Sequence, residues 1–403
     1  MKIINDPVFG FIKIPGGLLL DIIKHPLMQR LSRIKQLGMA CIVYPGAQHT
    51  RFLHSLGAYH LTSEALLSLQ QKGVFIFDSE AEAVCAAILM HDIGHGPFSH
   101  VLEHTLINGV SHEDISLLMM EQINKEMNGQ LNLAISIYKD EYHKKFLHQL
   151  ISSQLDMDRL DYLRRDAFFT GVSEGNIGSA RIIKMLNVNE DKLVVEQKGI
   201  YSIENYLTAR RLMYWQVYLH KTTVAAEKAL VNMLERAKEL VRHGHHLFAS
   251  PSLEFFLSHD VTLSDFSIDS EALRHYEMLD DNDIWSALKV WAGGEDRILS
   301  LLAQDMICRR PFKVEVRTSS MTDEEIAELE NHLAETYNIP LSDAHYLYSQ
   351  NVISKDMYDL EGDRIDILFK DGTIKDISDA SELFNISLLS QKISKYYVCT
   401  QRM

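Results

Sequence analysis

The chain has 403 residues, 46% hydrophobic and 24% charged, with 40 basic against 55 acidic side chains and a formal net charge of −15. That length accommodates two domains or one large domain with an appendage, and so acidic a chain makes a poor general binder of nucleic acid, whose affinity rests on neutralising phosphates. Cys41, Cys85, Cys308 and Cys399 show no CxxC spacing, which excludes zinc-ribbon and thioredoxin-type sites. No signal-peptide pattern opens the sequence and no apolar run nears the ~18 residues of a membrane span, so a cytoplasmic protein without membrane association is expected.

In chain order, Lys2-Ile3-Ile4, a turn at Asp6-Pro7 and the alternation of Phe9–Ile14 predict a β-hairpin arm. Helical spacing predicts helices over Leu18–Ile23 and Pro26–Lys35, the second opened by Pro26 and closed by Gly38, with a short extended piece and turn at Ile42–Gly46. Further helices are expected over Arg51–Leu69, Phe77–Met90, Ser111–Lys125 (Ser111 as N-cap) and Leu147–Arg165, with a long helical region over Ser202–Leu240. Leu193-Val194-Val195 is the clearest strand signal before residue 310. Beyond residue 308, Phe312–Val316 reads as a strand and Thr322–Tyr337 as an amphipathic helix. Ile365–Phe369 and Thr373–Ile377 read as a hairpin across Lys370-Asp371-Gly372. The expected class is mainly α. A helical domain over 1–308 (arm 1–48, core about 50–170, long helical region 202–308) precedes a small α+β module over 309–403.

Chemistry concentrates where the apolar run Ala83–Met90 ends in His91-Asp92, followed by His95, His100 and a break at Gly94 and Gly96-Pro97. A His-Asp pair alone carries little information, as His259-Asp260 in the same chain illustrates. Here it is joined by His54, three residues after Arg51, and by Asp158 in a charge-dense stretch interleaved with leucines. Two imidazoles and two carboxylates from three helices form an N2O2 set suited to one divalent transition ion, Mn, Fe, Ni, Co or Zn. Positions left open on such an ion take water and a phosphate oxygen, and cations and an acid must then serve the developing charge and the leaving group. Singly, each histidine reads equally as a structural group. The 156–166 charges read also as a salt-bridged helix face, and Arg210 and Tyr218 as packing residues. His100 and His104 read as support, and His243–His246 as a solvated loop.

RFLHSLG (51–57), HDIGHGPFSH (91–100), SHEDIS (111–116) and LDMDRLDYLRRD (155–166), in that order, resemble the HD-superfamily phosphohydrolases, and more narrowly the deoxynucleoside triphosphate triphosphohydrolases. NDPVFGFI (5–12) and QRLSRIKQLG with VYPGAQHTRF (29–52) are similar to the same subfamily, so the resemblance covers roughly residues 3–225. It implies His54, His91, Asp92 and Asp158 as metal ligands. It implies His95 and His112 beside the α-phosphate, His95 as proton shuttle, with Glu103 supporting the catalytic histidine. Arg51, Arg159, Tyr162, Asp166, Arg210 and Tyr218 match positions holding triphosphate oxygens or the sugar, and Gln36 and Leu37 match a loop beside the sugar. The implied reaction converts a dNTP to deoxynucleoside and triphosphate, with Mg accompanying the substrate phosphates, in a homo-oligomer (dimer or tetramer). Animal relatives grip an allosteric guanine nucleotide with an Asp and an Arg. Lys24 and Ser32 stand there in this chain, so no such activator is carried over. The same set would serve an HD enzyme acting on guanosine tetraphosphate or a nucleoside monophosphate, or a non-catalytic nucleotide sensor.

Overall fold

The computed structural model describes residues 1–98, 100–355, 364–381 and 393–402. As expected, the protein is mainly α. Strands β1 (Lys2–Asp6) and β2 (Gly10–Ile14) pair antiparallel, Lys2 opposite Ile14 and Asp6 opposite Gly10. Asp6 Oδ1 closes the turn by accepting from the backbone N–H groups of Val8 and Phe9, both at 2.9 Å. Strand alternation buries Ile12 and Ile14 while Ile3 and Phe11 face out.

Helix α1 (Leu18–Lys24) is followed by α2 (Pro26–Arg30), with Pro26 in the first turn and His25 as cap. The helix expected through Lys35 ends at Arg30 in a 3₁₀ turn. Its backbone is committed elsewhere: Lys35 bridges Thr50, Gln36 N–H donates to His49 O and Arg51 N–H donates to Ile34 O. Gly38, expected to close a helix, instead opens a 3₁₀ turn over Gly38–Ile42, and the stretch after it is turn rather than extended. The exchange with residues 49–51 places Gln36 and Leu37 beside the start of the next helix.

That helix, α3 (Arg51–Gln71), packs on α4 (Asp78–Met90) and on the helix over Met157–Thr170. Between them come α5 (His100–Thr105), β3 (Ile107–Asn108), α6 (His112–Glu126, capped by Ser111), α7 (Asn132–Tyr138) and α8 (Lys145–Gln149). The single helix expected over Leu147–Arg165 is broken. Asp156 Oδ2 accepts from Ser153 N–H and its Oδ1 from Arg159 N–H, so a new helix, α9 (Met157–Thr170), starts with Asp156 as its cap. Gly171, at φ 76°, ends it.

The next elements are α10 (Ser179–Met185), the hairpin β4 (Leu186–Asn189) and β5 (Lys192–Glu196), and α11 (Ile200–Met213). The expected long helix is then interrupted by a π turn over Tyr214–Tyr218 and restarts at His220 as α12 (Lys221–Arg242). Helices α13 (Pro251–Ser258), α14 (Glu271–Met278), α15 (Asp281–Trp291) and α16 (Arg297–Ile307) follow, each with a side-chain N-cap: Ser250, Ser270, Asp280 and Asp296. A two-residue strand β6 (Val261–Thr262) pairs parallel with β3.

Beyond residue 308, β7 (Lys313–Arg317), β8 (Tyr348–Lys355) and a last strand over Ile393–Thr400 form a three-stranded antiparallel sheet with that last strand central, beside helix α17 (Asp323–Tyr337). The expected hairpin forms as β9 (Asp366–Leu368) and β10 (Ile374–Asp376), and it also pairs with a strand from before residue 309. β9 runs parallel to β5, Val195 opposite Ile367, giving a sheet of order β10-β9-β5-β4 across the expected boundary. One apolar core runs from Ile12 to Cys399. Among the described residues no helix is long and apolar enough to cross a membrane.

Candidate metal centre

The first turn of α3, the end of α4 and the first turn of α9 meet at one point. His54 Nε2 lies 3.3 Å from His91 Nε2, and Asp158 Oδ1 lies 3.0 Å from the first and 3.4 Å from the second. Which ring nitrogens carry protons follows from the opposite edges. His54 Nδ1 is 2.7 Å from Asp161 Oδ2, and His91 Nδ1 is 2.7 Å from the Ile88 carbonyl, so each Nδ1–H donates and each Nε2 presents a lone pair. Two imidazole lone pairs and a carboxylate oxygen facing one another in a buried site repel unless a cation sits among them. Burial lowers the His54 imidazole, but the hydrogen bonds and charges of Asp158 and Asp161 outweigh it and raise it to about 10, so without a cation among these groups a proton takes that place. The donor set therefore fits a divalent ion, and the outer partner on each histidine is the arrangement that orients metal-binding imidazoles.

His54, His91 and Asp158 form the set whose ligand atoms lie in common reach. Asp92 borders it: its Oδ1 is 3.4 Å from His91 Nε2, its Oδ2 is 3.7 Å from His54 Nε2, and that same Oδ2 accepts from Arg51 Nη1 at 2.6 Å. Burial raises the Asp92 carboxyl, but His91, His95 and Arg51 together hold it well below the usual range. The approach is from the Asp158 side, where the side chain is 28% exposed while His54 is fully enclosed.

His95 Nε2 is 3.2 Å from Asp92 Oδ1, and its ring stacks on His112 at 3.8 Å between centroids and 15° between planes. Burial, and then Arg51, push His95 down to about 3. The connecting loop is held by its carbonyls: Arg30 Nη1 donates to His95 O and Tyr276 OH to Gly94 O, both at 2.7 Å. Ser116 Oγ accepts from Gly94 N–H and donates to His91 O, both at 2.9 Å. A Cβ on Gly94 would meet Ser116 N at 2.2 Å, so glycine is what lets α6 bring His112 against this loop.

Of the expected substrate residues, Arg51 pairs with Asp92 and the Tyr162 ring lies beside His54. Arg159 Nε donates to Ser153 O at 2.7 Å and pairs with Asp156 at 3.1 Å, and Arg210 Nη1 donates to Gln154 Oε1 at 2.8 Å. The Tyr162 ring lies 6.5 Å from His54 and 6.0 Å from Tyr218. Tyr218 OH donates to Asp166 Oδ2 at 2.8 Å. Gln36 has a buried Oε1 with no partner among the described residues, and Leu37 is half-buried against the core. The side chain of Glu103, the expected support for the catalytic histidine, lies outside the described residues, as do those of His100 and His104. Lys24 is exposed, 4.0 Å from Asp21, and Ser32 is exposed with its hydroxyl on Gln29 O.

Residues 51–166 match the model of the HD domain, and residues 177–249 match that of the HD associated region. An uncharacterised protein of Bacillus subtilis is 36% identical over 319 residues, 77% of this chain and 71% of that one. The chain belongs to the HD-domain phosphohydrolases. The crystal structure of a phosphohydrolase from Bacteroides thetaiotaomicron superposes with a TM-score of 0.97 over the full length of both chains, at 64% identity. The human deoxynucleoside triphosphate triphosphohydrolase SAMHD1 is 29% identical over 285 residues, 60% of this chain and 45% of that protein. Its zebrafish counterpart is 27% identical over 373 residues, 81% and 57% respectively, so the chain spans about half the length of these triphosphohydrolases.

The HD centre also rests on residues read from the sequence only as charges of a salt-bridged helix face, and on a glycine that reading did not single out. Asp161, which orients His54, accepts from Arg165 Nε and Nη2 at 2.9 Å each, and Arg165 Nη1 donates to Asp6 Oδ2 at 2.7 Å, with all three side chains fully enclosed. The N-terminal hairpin thereby anchors the HD centre. A Cβ on Gly57 would sit 1.9 Å from Asp161 Oδ1 and 2.2 Å from Arg165 Nη2, so that glycine in α3 makes room for the ion pair. The available signals were spacings: Asp161 three residues after Asp158 and four before Arg165, and Gly57 three after His54.

Proposed function

We propose that the chain hydrolyses deoxynucleoside triphosphates to deoxynucleoside and inorganic triphosphate at this centre, with His54, His91, Asp92 and Asp158 holding one divalent transition ion. The convergence of two imidazole lone pairs on the Asp158 carboxylate carries the reading of a metal centre, and the similarity to triphosphohydrolases supports the substrate. Bound there, the ion supplies Lewis acidity towards a phosphoryl oxygen and a more acidic water. The residues do the rest. Arg51, Arg159 and Arg210 offer fixed guanidinium forks to the triphosphate oxygens, where charge grows as the ester bond breaks. Water adds to the α-phosphorus and gives up a proton, the bond to the sugar 5′-oxygen breaks, and a proton is delivered to that oxygen by His112 or, once the substrate phosphates offset the Arg51 charge that disfavours a proton on it, by His95. Gln36, Leu37, Tyr162, Asp166 and Tyr218 bound the nucleoside.

The test is Mn-dependent hydrolysis of each of the four dNTPs with product analysis. Triphosphate release is expected; pyrophosphate release, or no turnover with any of Mn, Fe, Ni, Co or Zn, would sink the reading.

A further inference from the structure

We infer that His49 is a positioning residue for substrate selection, holding Asp166, and through it Tyr218, in the orientation that reads a hydroxyl of the substrate sugar. The His49 side chain is fully enclosed, with Nε2 2.7 Å from Asp166 Oδ1. Its ring stacks on Phe169 at 4.5 Å and 15°, which fixes the ring plane. Facing a carboxylate, Nε2–H donates, and Nδ1 has no partner among the described residues. The other oxygen of Asp166 takes the Tyr218 hydroxyl at 2.8 Å, so the carboxylate is held from both ends and its remaining lone pairs have a fixed direction.

Asp166 is an anion among residues expected to hold a polyanion, so phosphate oxygens are not its ligand. A carboxylate accepts, and a nucleotide offers it sugar hydroxyls and base N–H groups; of these only a sugar hydroxyl is common to all four dNTPs, and the dideoxy comparison below tests it. His49 also ties in the neighbouring loop, because its carbonyl accepts from Gln36 N–H at 3.0 Å. The imidazole holds Asp166, and the backbone of the same residue holds the Gln36–Leu37 loop. This inference rests on the proposed dNTP reading.

The experiment uses the full chain with Mn, the best-used dNTP and its 2′,3′-dideoxy counterpart. His49→Phe keeps a ring against Phe169 and removes the donor, while His49→Gln restores an N–H near the Nε2 position. His49→Phe is expected to raise KM for the dNTP about tenfold with a smaller change in kcat, and to shrink the dNTP-to-dideoxy ratio of kcat/KM about tenfold; His49→Gln recovers most of both. If the Phe variant does not fold, His49→Asn, too short to reach Asp166, takes its place. An unchanged ratio in the donor-less variant, or no recovery in His49→Gln, overturns the inference alone. A wild-type chain that turns over no dNTP overturns the proposed function, and this inference with it.

Discussion

At the scale of single residues, the centre is a set of lone pairs aimed inward by donors behind them. Removing an inner group and removing a group behind it should therefore differ in kind. Asp158→Ala and His91→Ala are expected to abolish metal-dependent turnover while the melting temperature stays within about 5 °C of wild type. Chelation should lower the melting temperature of the wild type and not of Asp158→Ala, since only the former gains stability from the ion. Equal chelator sensitivity in the two would refute the ligand assignment. Asp161→Asn leaves every inner ligand in place but weakens the acceptor that orients His54 at 2.7 Å. Metal affinity should fall 10- to 100-fold, on the order seen for outer partners of metal-bound histidines, and calorimetric titration with Mn reads it. The HD pair and His54 were legible as chemistry-bearing residues. Asp161 and Arg165 were legible only as charges on a helix, because burial, which turns a surface ion pair into a scaffold, is not written in spacing.

At the scale of elements, boundaries shifted wherever the backbone found a better partner than the next helical turn. α2 ends at Arg30 because residues 34–36 bond to residues 49–51, and α9 begins at Met157 because the Asp156 carboxylate caps it. Each shift places a residue of the site: Gln36 beside α3, and Asp158 in the first turn of α9. The π turn at Tyr214–Tyr218, where Leu219 N–H reaches Tyr214 O, breaks a run whose periodicity reads as one helix; such turns recur at functional sites, and this one carries Tyr218. The contact of α3 with α9 depends on Gly57. Gly57→Ala, favourable by helix propensity alone, should instead destabilise by about 1–3 kcal/mol through overpacking against Asp161 and Arg165. It should also weaken Mn binding by displacing Asp161 from His54. A variant as stable as wild type in urea would show that the two helices can part at no cost.

At the scale of the whole molecule, distant segments are stitched to the HD core. β9 docks on β5, and Ile367 at that junction is fully buried. Ile367→Ala should cost about 2–4 kcal/mol and lower hydrogen-exchange protection in β5, about 170 residues earlier; unchanged protection there would show the hairpin to be dispensable to that sheet. Asp281, at the start of α15, accepts from Lys35 N–H at 3.0 Å and so ties the Gln36–Leu37 loop to the helices after 250. Burial raises it from 3.8 to about 6. Since the folded value lies above the unfolded one, its contribution is complete below about pH 4 and is lost as pH rises through 6. Asp281→Asn, which keeps an acceptor for Lys35 and cannot ionise, should gain on wild type by up to about 3 kcal/mol between pH 4 and 7.5. A gain equal at both pH values in urea titrations would contradict this. The sequence by itself determined the helical class, most elements before residue 125 and the identity of the metal-type side chains, since periodicity, caps and residue chemistry are local properties. Only the tertiary structure decided that His54, His91 and Asp158 share one point, that Asp92 is shared with Arg51, and that the N-terminal hairpin anchors the histidine through Arg165. Those are facts about burial and about which backbone groups find each other across the chain, and no local pattern carries them.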